Sequence, residues 1–193
     1  RTETIPVYAH SGIFIPRYSK GNNSRHYVGI PYLKEDLSLR GADWHLSTEP
    51  AEIAPGLWFS GQLPRTTAYE TGDTRLVTST AAGCECRDPI ADDTVLYHAN
   101  SEGLVVIGGC THSGLVNAVR YGMVITGATR LRGWIGGTHL GPVGAEQQAA
   151  TIAELLALAP DFVAANHCTG FAMMARLQQA FDFLNLRSQC RGR

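Results

Sequence analysis

Hydrophobic and polar positions follow two different patterns along the chain. Before residue 81, short apolar runs such as residues 5–10 and 28–32 are separated by Gly, Pro and Asn, which predicts short strands joined by loops. Residues 61–93 have no clear periodicity, and we predict a long ordered loop or lid there. From residue 92 onward, apolar runs alternate with helical patterns, which indicates an α/β layer architecture.

Three consecutive units in this second part have the same plan. Each has a short apolar strand, then a polar turn that contains a histidine, then a helix. The predicted strands are 104–107, 131–135 and 162–165, and the predicted helices are 113–128, 144–159 and 171–184. Because ligands of open α/β sheets bind beyond the carboxyl ends of the strands, we expect the turn histidines to converge on one site. They are His112, His139 and His167.

The residue types in these turns are those that bind metals. Imidazole is the commonest protein ligand for zinc, and a metal site takes three or four donors from separate loops. Cys110, Cys168, Asp92 and Asp93 lie close enough in sequence to supply further donors. Each cysteine is open to three interpretations: a ligand, an oxidisable thiol, or a small buried hydrophobic residue. A single loop histidine is more often structural, so it is the repetition of the plan that favours a site.

Composition narrows the class of protein. The 193 residues fit one domain, 1–193, and 44% hydrophobic against 17% charged residues is typical of a globular chain. A net charge of -1 without a dense basic run argues against nucleic acid as a partner, and no apolar stretch is long enough to span a bilayer. The five cysteines lack the spacing of a disulfide framework, which predicts a reducing compartment and a cytoplasmic location.

Five segments, taken together, resemble one branch of the metallo-β-lactamase superfamily, the branch named after dihydropterin-ribofuranosyl-aminobenzene-phosphate synthase. The likeness runs in order through nearly the whole chain. The segments are 61–65 (Gly-Gln-Leu-Pro-Arg), 92–93 (Asp-Asp), 108–114 (Gly-Gly-Cys-Thr-His-Ser-Gly), 136–140 (Gly-Gly-Thr-His-Leu) and 167–170 (His-Cys-Thr-Gly).

The resemblance implies an α/β fold of the four-layer α+β type, an αβ/βα sandwich with a metal site at one edge between the sheets. This chain would supply the C-terminal half of the sandwich. The resemblance implies His112 and His167 as metal ligands, and the neighbouring Cys110 joins them in our candidate set. The expected cofactor is a divalent metal, zinc in the first place, with iron or manganese as the alternatives.

Further residues are candidates for catalysis and for substrate binding. The resemblance implies His139 as a catalytic or substrate-facing group, with Asp93 as a weaker catalytic candidate. Arg17 and Arg65 stand beside prolines in polar loops, where a guanidinium can bind a carboxylate or phosphate, although a solvated loop arginine is the alternative. Thr169 is a further candidate for substrate binding.

One feature of the fold is missing from the sequence. The motif His-x-His-x-Asp-His, which supplies most metal ligands in the superfamily, does not occur here. In the family it lies just upstream of the position of Ile5, so we expect an N-terminal part to be missing. A half sandwich leaves one apolar sheet face and a sheet edge uncovered.

The expected function is that of a metal-dependent enzyme acting on a phosphorylated or pterin-like small molecule, with transfer of a dihydropterin-methyl group as the reaction the resemblance suggests. A metallo-hydrolase of the same fold is one alternative, and a non-catalytic remnant that binds a ligand or partner is another. A homo-oligomeric assembly of the chain is compatible with the sequence. A nucleotide-binding domain is disfavoured because no strand precedes Gly-x-Gly-x-x-Gly or a phosphate-loop lysine.

Overall fold

The computed structural model describes the backbone of residues 4–79 and 83–190 and the side chains of 4–79 and 83–181. The elements follow one another as β1 (Ile5–Ala9), β2 (Arg17–Lys20), β3 (Arg25–Tyr27), α1 (Lys34–Leu39), β4 (Ala42–Leu46), β5 (Ala51–Ala54), β6 (Leu57–Phe59), β7 (Leu76–Ser79), β8 (Glu85–Arg87), β9 (Val95–Asn100), β10 (Gly103–Gly108), α2 (Leu115–Thr126), β11 (Leu131–Gly137), α3 (Ala145–Leu158), β12 (Phe162–Asn166), a 3-10 turn (His167–Thr169) and α4 (Phe171–Cys190). Among these described helices, none is long and apolar enough to cross a membrane.

The main sheet has six described strands in the order β12-β11-β10-β9-β6-β5. Strands β10, β11 and β12 are parallel, whereas β9, β6 and β5 are antiparallel to their neighbours. Val106 of β10 pairs with Tyr97 on one side and Trp134 on the other, and all three side chains are fully buried in the core with α2. The three predicted strand-turn-helix units are therefore present, and they place three turns at one edge of the sheet.

Helix α2 lies close against β9. The hydroxyl of Tyr97 donates a 2.8 Å hydrogen bond to the carbonyl of Ala118, which satisfies a phenol buried in the core. Gly122 interrupts the apolar helical pattern because a Cβ atom there would overlap the Tyr97 ring. The glycine thus sets the distance between helix and sheet.

Residues 61–93 are not a loop throughout, contrary to our expectation. They contain β7 and β8, which join β2 and β3 in a four-stranded antiparallel sheet of the order β3-β2-β7-β8. These strands are three or four residues long, too short to show a period of two clearly, and β7 pairs with the distant β2. A separate pair of parallel strands is formed by β1 and β4.

The face of the main sheet opposite α2 is apolar and only partly covered by the described residues. Ile107 and Ile135 lie side by side on it, each 37% exposed. Leu96 continues the row, and the Phe162 ring covers the space beside Gly133.

Candidate functional site

The three histidine turns meet at the carboxyl edge of the main sheet. The imidazole rings of His112 and His139 lie with their centroids 4.0 Å apart, inclined by 45°. His167 lies on the third turn, where its Nε2 is 3.1 Å from the Cys110 Sγ. The backbone N–H of His139 donates to the Cys168 Sγ at 3.3 Å. The structure therefore brings together all three turn histidines and both neighbouring cysteines.

Glycines permit this close approach of two turns. Gly136 has φ of 126°, and a Cβ atom there would overlap the carbonyl of Gly108. The N–H of Gly137 donates to the Gly109 carbonyl at 2.9 Å, so the turns after β10 and β11 touch backbone to backbone. Larger residues cannot occupy positions 136 and 137 without moving the turns apart.

Two of the histidines themselves have unusual backbone conformations. His139 and His167 both have φ of 49°, in the left-handed region that non-glycine residues seldom adopt. Such conformations cost of the order of 1 kcal/mol or more and are concentrated at functional sites. Neighbouring contacts hold them in place.

A compact set of donor atoms lies within this cluster. One ligand atom each from Cys110, His167 and Cys168 can be chosen so that all three lie within 4.8 Å of one another. The metal set expected from the sequence contains Cys110, His167 and His112 but not Cys168. The signal that points to Cys168 is its position directly after a turn histidine.

The charges in the cluster are coupled. A hydrogen bond from Cys110 and the neighbouring His139 hold the pKa of the Cys168 thiol well below its usual range, against the effect of burial. The same hydrogen bond, together with burial, raises the pKa of Cys110. The two thiols are therefore coupled, and negative charge is favoured on Cys168 over Cys110.

The two neighbouring histidines differ in protonation. Burial, followed by the nearby His139, lowers the pKa of His112 to about 4, so His112 is neutral at pH 7. Burial also acts to lower the pKa of His139, but Cys168 and Asp73 outweigh it and raise that pKa overall. His139 therefore binds a proton more readily than the adjacent His112 does.

Two histidine ring nitrogens have unused hydrogen-bonding capacity among the described residues. The Nδ1 atoms of His112 and His139 are buried, and neither has a hydrogen-bond partner among the described residues. An unpaired buried polar atom costs about 1–3 kcal/mol, so a pair of them indicates that something else binds there. Imidazole nitrogens and thiolates together fit a borderline-soft divalent metal such as zinc.

Two predicted site residues hold the His112 turn. The Ser113 N–H donates to Asp93 Oδ2 at 2.6 Å, and burial raises the pKa of Asp93. Arg65 donates to the His112 carbonyl at 2.7 Å and to the Pro89 carbonyl at 2.8 Å. In this structure Asp93 and Arg65 act on His112 through its backbone, and their catalytic and substrate-binding roles stay predictions.

The other two substrate-binding candidates have protein partners. Arg17 donates from Nε to Asp88 Oδ2 at 2.5 Å and forms a second ion pair with Asp92. The fully buried Thr169 has its Oγ1 3.2 Å from the Thr138 N–H and 3.0 Å from the Thr138 hydroxyl. Thr169 thereby ties the second histidine turn to the third, and ligand binding by either residue stays a prediction.

Asp73 is a site residue that the sequence did not reveal. Its Oδ2 lies 3.4 Å from His139 Nε2 and accepts a 2.6 Å hydrogen bond from Arg75. The Arg75 guanidinium holds the pKa of Asp73 well below its usual range. A carboxylate behind an imidazole fixes the ring orientation and favours its protonated form. Asp73 lies in a segment without periodicity, so only its tertiary contacts identify it.

Glu70, which is 1% exposed, joins the same segment to α2. Its two carboxylate oxygens accept 2.9 Å hydrogen bonds from the N–H groups of Val116 and Asn117, in the first turn of the helix. A Cβ atom on Gly114 would overlap Glu70, which explains the glycine at this point. The helix start that carries the His112 turn is therefore anchored by a buried carboxylate.

A cavity opens beside His139. Its volume is about 260 Å³, and Asp73, Arg75, His139 and Gln147 are among the residues that line it. Polar side chains around a cavity of this size suit a small, polar ligand or part of one.

Comparison with known proteins places the chain among relatives. It is 28% identical over 191 residues, 95% of this chain, to 7,8-dihydropterin-6-methyl-4-(β-D-ribofuranosyl)-aminobenzene-5'-phosphate synthase of Methanocaldococcus jannaschii. An uncharacterised protein of the same organism is 30% identical over 178 residues. The chain spans 64% of the length of each of these proteins. No protein-family model matches the sequence.

A solved structure has the same fold. It is described as a metal-dependent hydrolase of the β-lactamase superfamily, with a TM-score of 0.78 and 21% identity over 93% of this chain and 66% of that one. The family resemblance and the fold class predicted from the sequence are thus confirmed. The chain is similar in sequence to the methanogen synthase, and it has the fold of the metallo-β-lactamase superfamily.

Proposed function

We propose that this chain carries the catalytic edge of a metal-dependent enzyme that acts on a phosphorylated or pterin-like small molecule. The observation that carries the proposal is the convergence of three histidine turns at one edge of the sheet, where the Nδ1 atoms of His112 and His139 have no hydrogen-bond partner within the described part of the chain. The relative named as a dihydropterin-linked phosphate synthase supports the substrate class.

We assign the metal to His112, His167 and Cys110, with zinc as the first candidate and iron or manganese as alternatives. His112 is neutral because its pKa is lowered to about 4, which leaves its lone pair free for coordination at pH 7. A bound metal of this kind lowers the pKa of water or stabilises negative charge on a phosphoryl or carbonyl oxygen.

His139 is the proton-holding group in this proposal. Its Nε2 lies 3.4 Å from Asp73 Oδ2, and in the proposed reaction the protonated ring gives its proton to the substrate. The raised pKa of His139 favours that protonated state. Asp73 is the positioning residue, because it fixes the ring rather than contacting the substrate.

Two separate cavities, with no lining residue in common, bear on the substrate class. The 260 Å³ cavity beside His139 holds Arg75 and Gln147, which suit a polar or phosphorylated group. A second cavity of about 500 Å³ is lined by Phe14, Tyr27 and Tyr32 among others, and aromatic walls suit a planar ring. Arg17 directly follows Pro16, which lines the second cavity, and it forms an ion pair with Asp92. The next residue, Asp93, accepts the hydrogen bond from the turn that carries His112.

The test is metal content and turnover of the protein as the cell makes it. We expect about one or two zinc, iron or manganese ions per chain by inductively coupled plasma mass spectrometry. The variant His167→Ala should lose most of the metal, whereas His98→Ala, an exposed histidine on β9, should keep it. Equal loss in both variants would overturn the assignment, and so would a wild-type protein without metal that still turns over its substrate.

A hydrolase is the second candidate. It is favoured by the structural neighbour, which is described as a metal-dependent hydrolase. Release of inorganic phosphate or of an alcohol from a phosphoester without an acceptor amine would favour hydrolysis, whereas a requirement for the acceptor would favour group transfer. We also place the protein in the cytoplasm, where a reducing environment keeps Cys110 and Cys168 as thiols.

A further inference from the structure

We propose that Cys110, Cys168 and His167 form a two-sulfur, one-nitrogen site that selects a thiophilic metal, zinc above all, over magnesium or manganese. This inference rests on the proposed metal dependence and changes its ligand set. It replaces His112 with Cys168 as the third protein ligand, which makes sulfur the majority donor.

The distances among the donor atoms fit a metal of this kind. Zn–S bonds of about 2.3 Å and Zn–N bonds of about 2.05 Å at tetrahedral angles put the donors roughly 3.5–3.8 Å apart. Cys110 Sγ and His167 Nε2 are 3.1 Å apart, and with a donor of Cys168 they all lie within 4.8 Å. Shifts of about 1 Å, within the reach of side-chain rotation, convert this arrangement into a coordination site.

The backbone that carries the donors is held by contacts between the turns. The Thr111 hydroxyl donates to the Gly137 carbonyl at 2.9 Å, beside Cys110. A Cβ atom at Gly137 would lie 2.8 Å from the Cys168 Sγ, so the thiol of the third turn fits into the space the glycine leaves. The buried Thr138–Thr169 contact joins the same two turns. The donors thus come from two turns, after β10 and after β12, and the turn after β11 holds these two together.

The exposure of the three donor residues is typical of a catalytic metal site, whereas a structural metal site is enclosed by protein ligands. Cys110 and Cys168 are half-buried and His167 is exposed, so one side of the donor set faces solvent. Three protein donors with one open position are typical of catalytic zinc sites, whereas structural sites have four protein ligands. Thiolates bind magnesium and manganese poorly, which gives the selectivity.

Cobalt substitution tests the donor set directly. The reduced protein as the cell makes it, stripped of metal by a chelator, is titrated with Co²⁺ and followed by absorption spectroscopy. We expect the visible bands of a tetrahedral cobalt site together with a near-ultraviolet thiolate-to-cobalt charge-transfer band. Zinc should displace the cobalt stoichiometrically, and magnesium should not.

Variants assign the sulfur donors. Cys168→Ser and Cys110→Ser should each weaken the charge-transfer band, and each should reduce zinc affinity by more than about tenfold, because loss of a ligand exceeds the cost of losing an outer partner. Cys86→Ser is the matched control, since Cys86 is an exposed cysteine on β8. Circular dichroism of the metal-free variants separates loss of a ligand from loss of folding.

The outcomes separate this inference from the proposed function. Cobalt bound with tetrahedral bands but without charge transfer would overturn the sulfur donors and leave a metal-dependent enzyme standing. The sulfur donors would also be overturned by a Cys86→Ser variant that changes the band as much as Cys168→Ser does. A folded, fully reduced protein that binds neither cobalt nor zinc would overturn both the sulfur donors and the metal dependence.

Discussion

The imidazole rings of His112 and His139 lie with their centroids 4.0 Å apart, yet their pKa values move in opposite directions. Two positive charges at this distance repel each other, so the first proton goes to the ring with the better anionic neighbours. Cys168 and Asp73 both form hydrogen bonds with His139, whereas they affect His112 only through their charge. The pair therefore takes up its first proton on His139 and not on His112.

Removal of the His139 side chain should raise the pKa of His112. In metal-free His139→Gln, the pKa of His112 should rise from about 4, because the repulsion by His139 is lost while burial remains. NMR titration of the His112 ring protons measures this shift. His98→Gln should leave the titration of His112 as it is in the wild type, and an unchanged midpoint in His139→Gln would contradict the coupling.

The depressed pKa of His112 predicts an acid-sensitive fold. The unfolded chain takes up this proton near pH 6.5 but the folded protein only near pH 4, so stability falls as the pH drops through that window. The loss should be on the order of 2 kcal/mol, because His112 is only partly buried. Urea unfolding of the metal-free protein between these pH values measures it. A His112→Gln variant should lose less stability on acidification, and equal acid slopes would refute the prediction.

Backbone contact between two turns should make Gly136 irreplaceable. Gly136→Ala introduces a Cβ atom that overlaps the Gly108 carbonyl at φ of 126°, and it should cost about 3 kcal/mol or more. Gly144→Ala is the matched control: φ is -67° and nothing lies within 4 Å of the added atom, so its effect should stay within about 1 kcal/mol, the preference for glycine over alanine at the start of a helix. Thermal unfolding of both variants compares them, and similar losses would show that the contact is not limiting.

The buried carboxylate of Glu70 should stabilise the start of α2. Glu70→Ala leaves the N–H groups of Val116 and Asn117 without partners, and it should cost about 3 kcal/mol. Glu146→Ala, an exposed residue in the first turn of α3, removes a carboxylate without a comparable contact and should change stability little. Chemical denaturation distinguishes the two, and a near-neutral Glu70→Ala would show that water replaces the cap.

The elements from residue 92 onward could be predicted from the sequence because each one shows its own hydrophobic pattern within a short segment. Parallel strands buried on at least one face appear as continuous apolar runs, and β10, β11 and β12 lie within one or two residues of the predicted ranges. The histidine turns follow directly from those strands. Their convergence is then a consequence of parallel order, which brings equivalent strand ends to one edge.

The rest depends on contacts between residues far apart in sequence. The pairing of Leu76 with Ser19 that places β7 in a sheet leaves no periodic signal in a four-residue strand. Asp73 reaches His139 across the fold, and no spacing rule connects them. The sequence offers Cys168 as one possible ligand among several, and only the geometry raises it to a donor beside Cys110.

The packing of Gly136 and Gly137 against Gly108 and Gly109 has a consequence for how such a protein can diversify. Two turns in backbone contact leave no space for insertions or bulkier residues between them. The backbone therefore fixes the distance between the two turns. New chemistry has to come from exchange of the side chains that those turns present, one residue at a time. Evolution can thus change the reaction at this edge of the sheet while the scaffold beneath it stays the same.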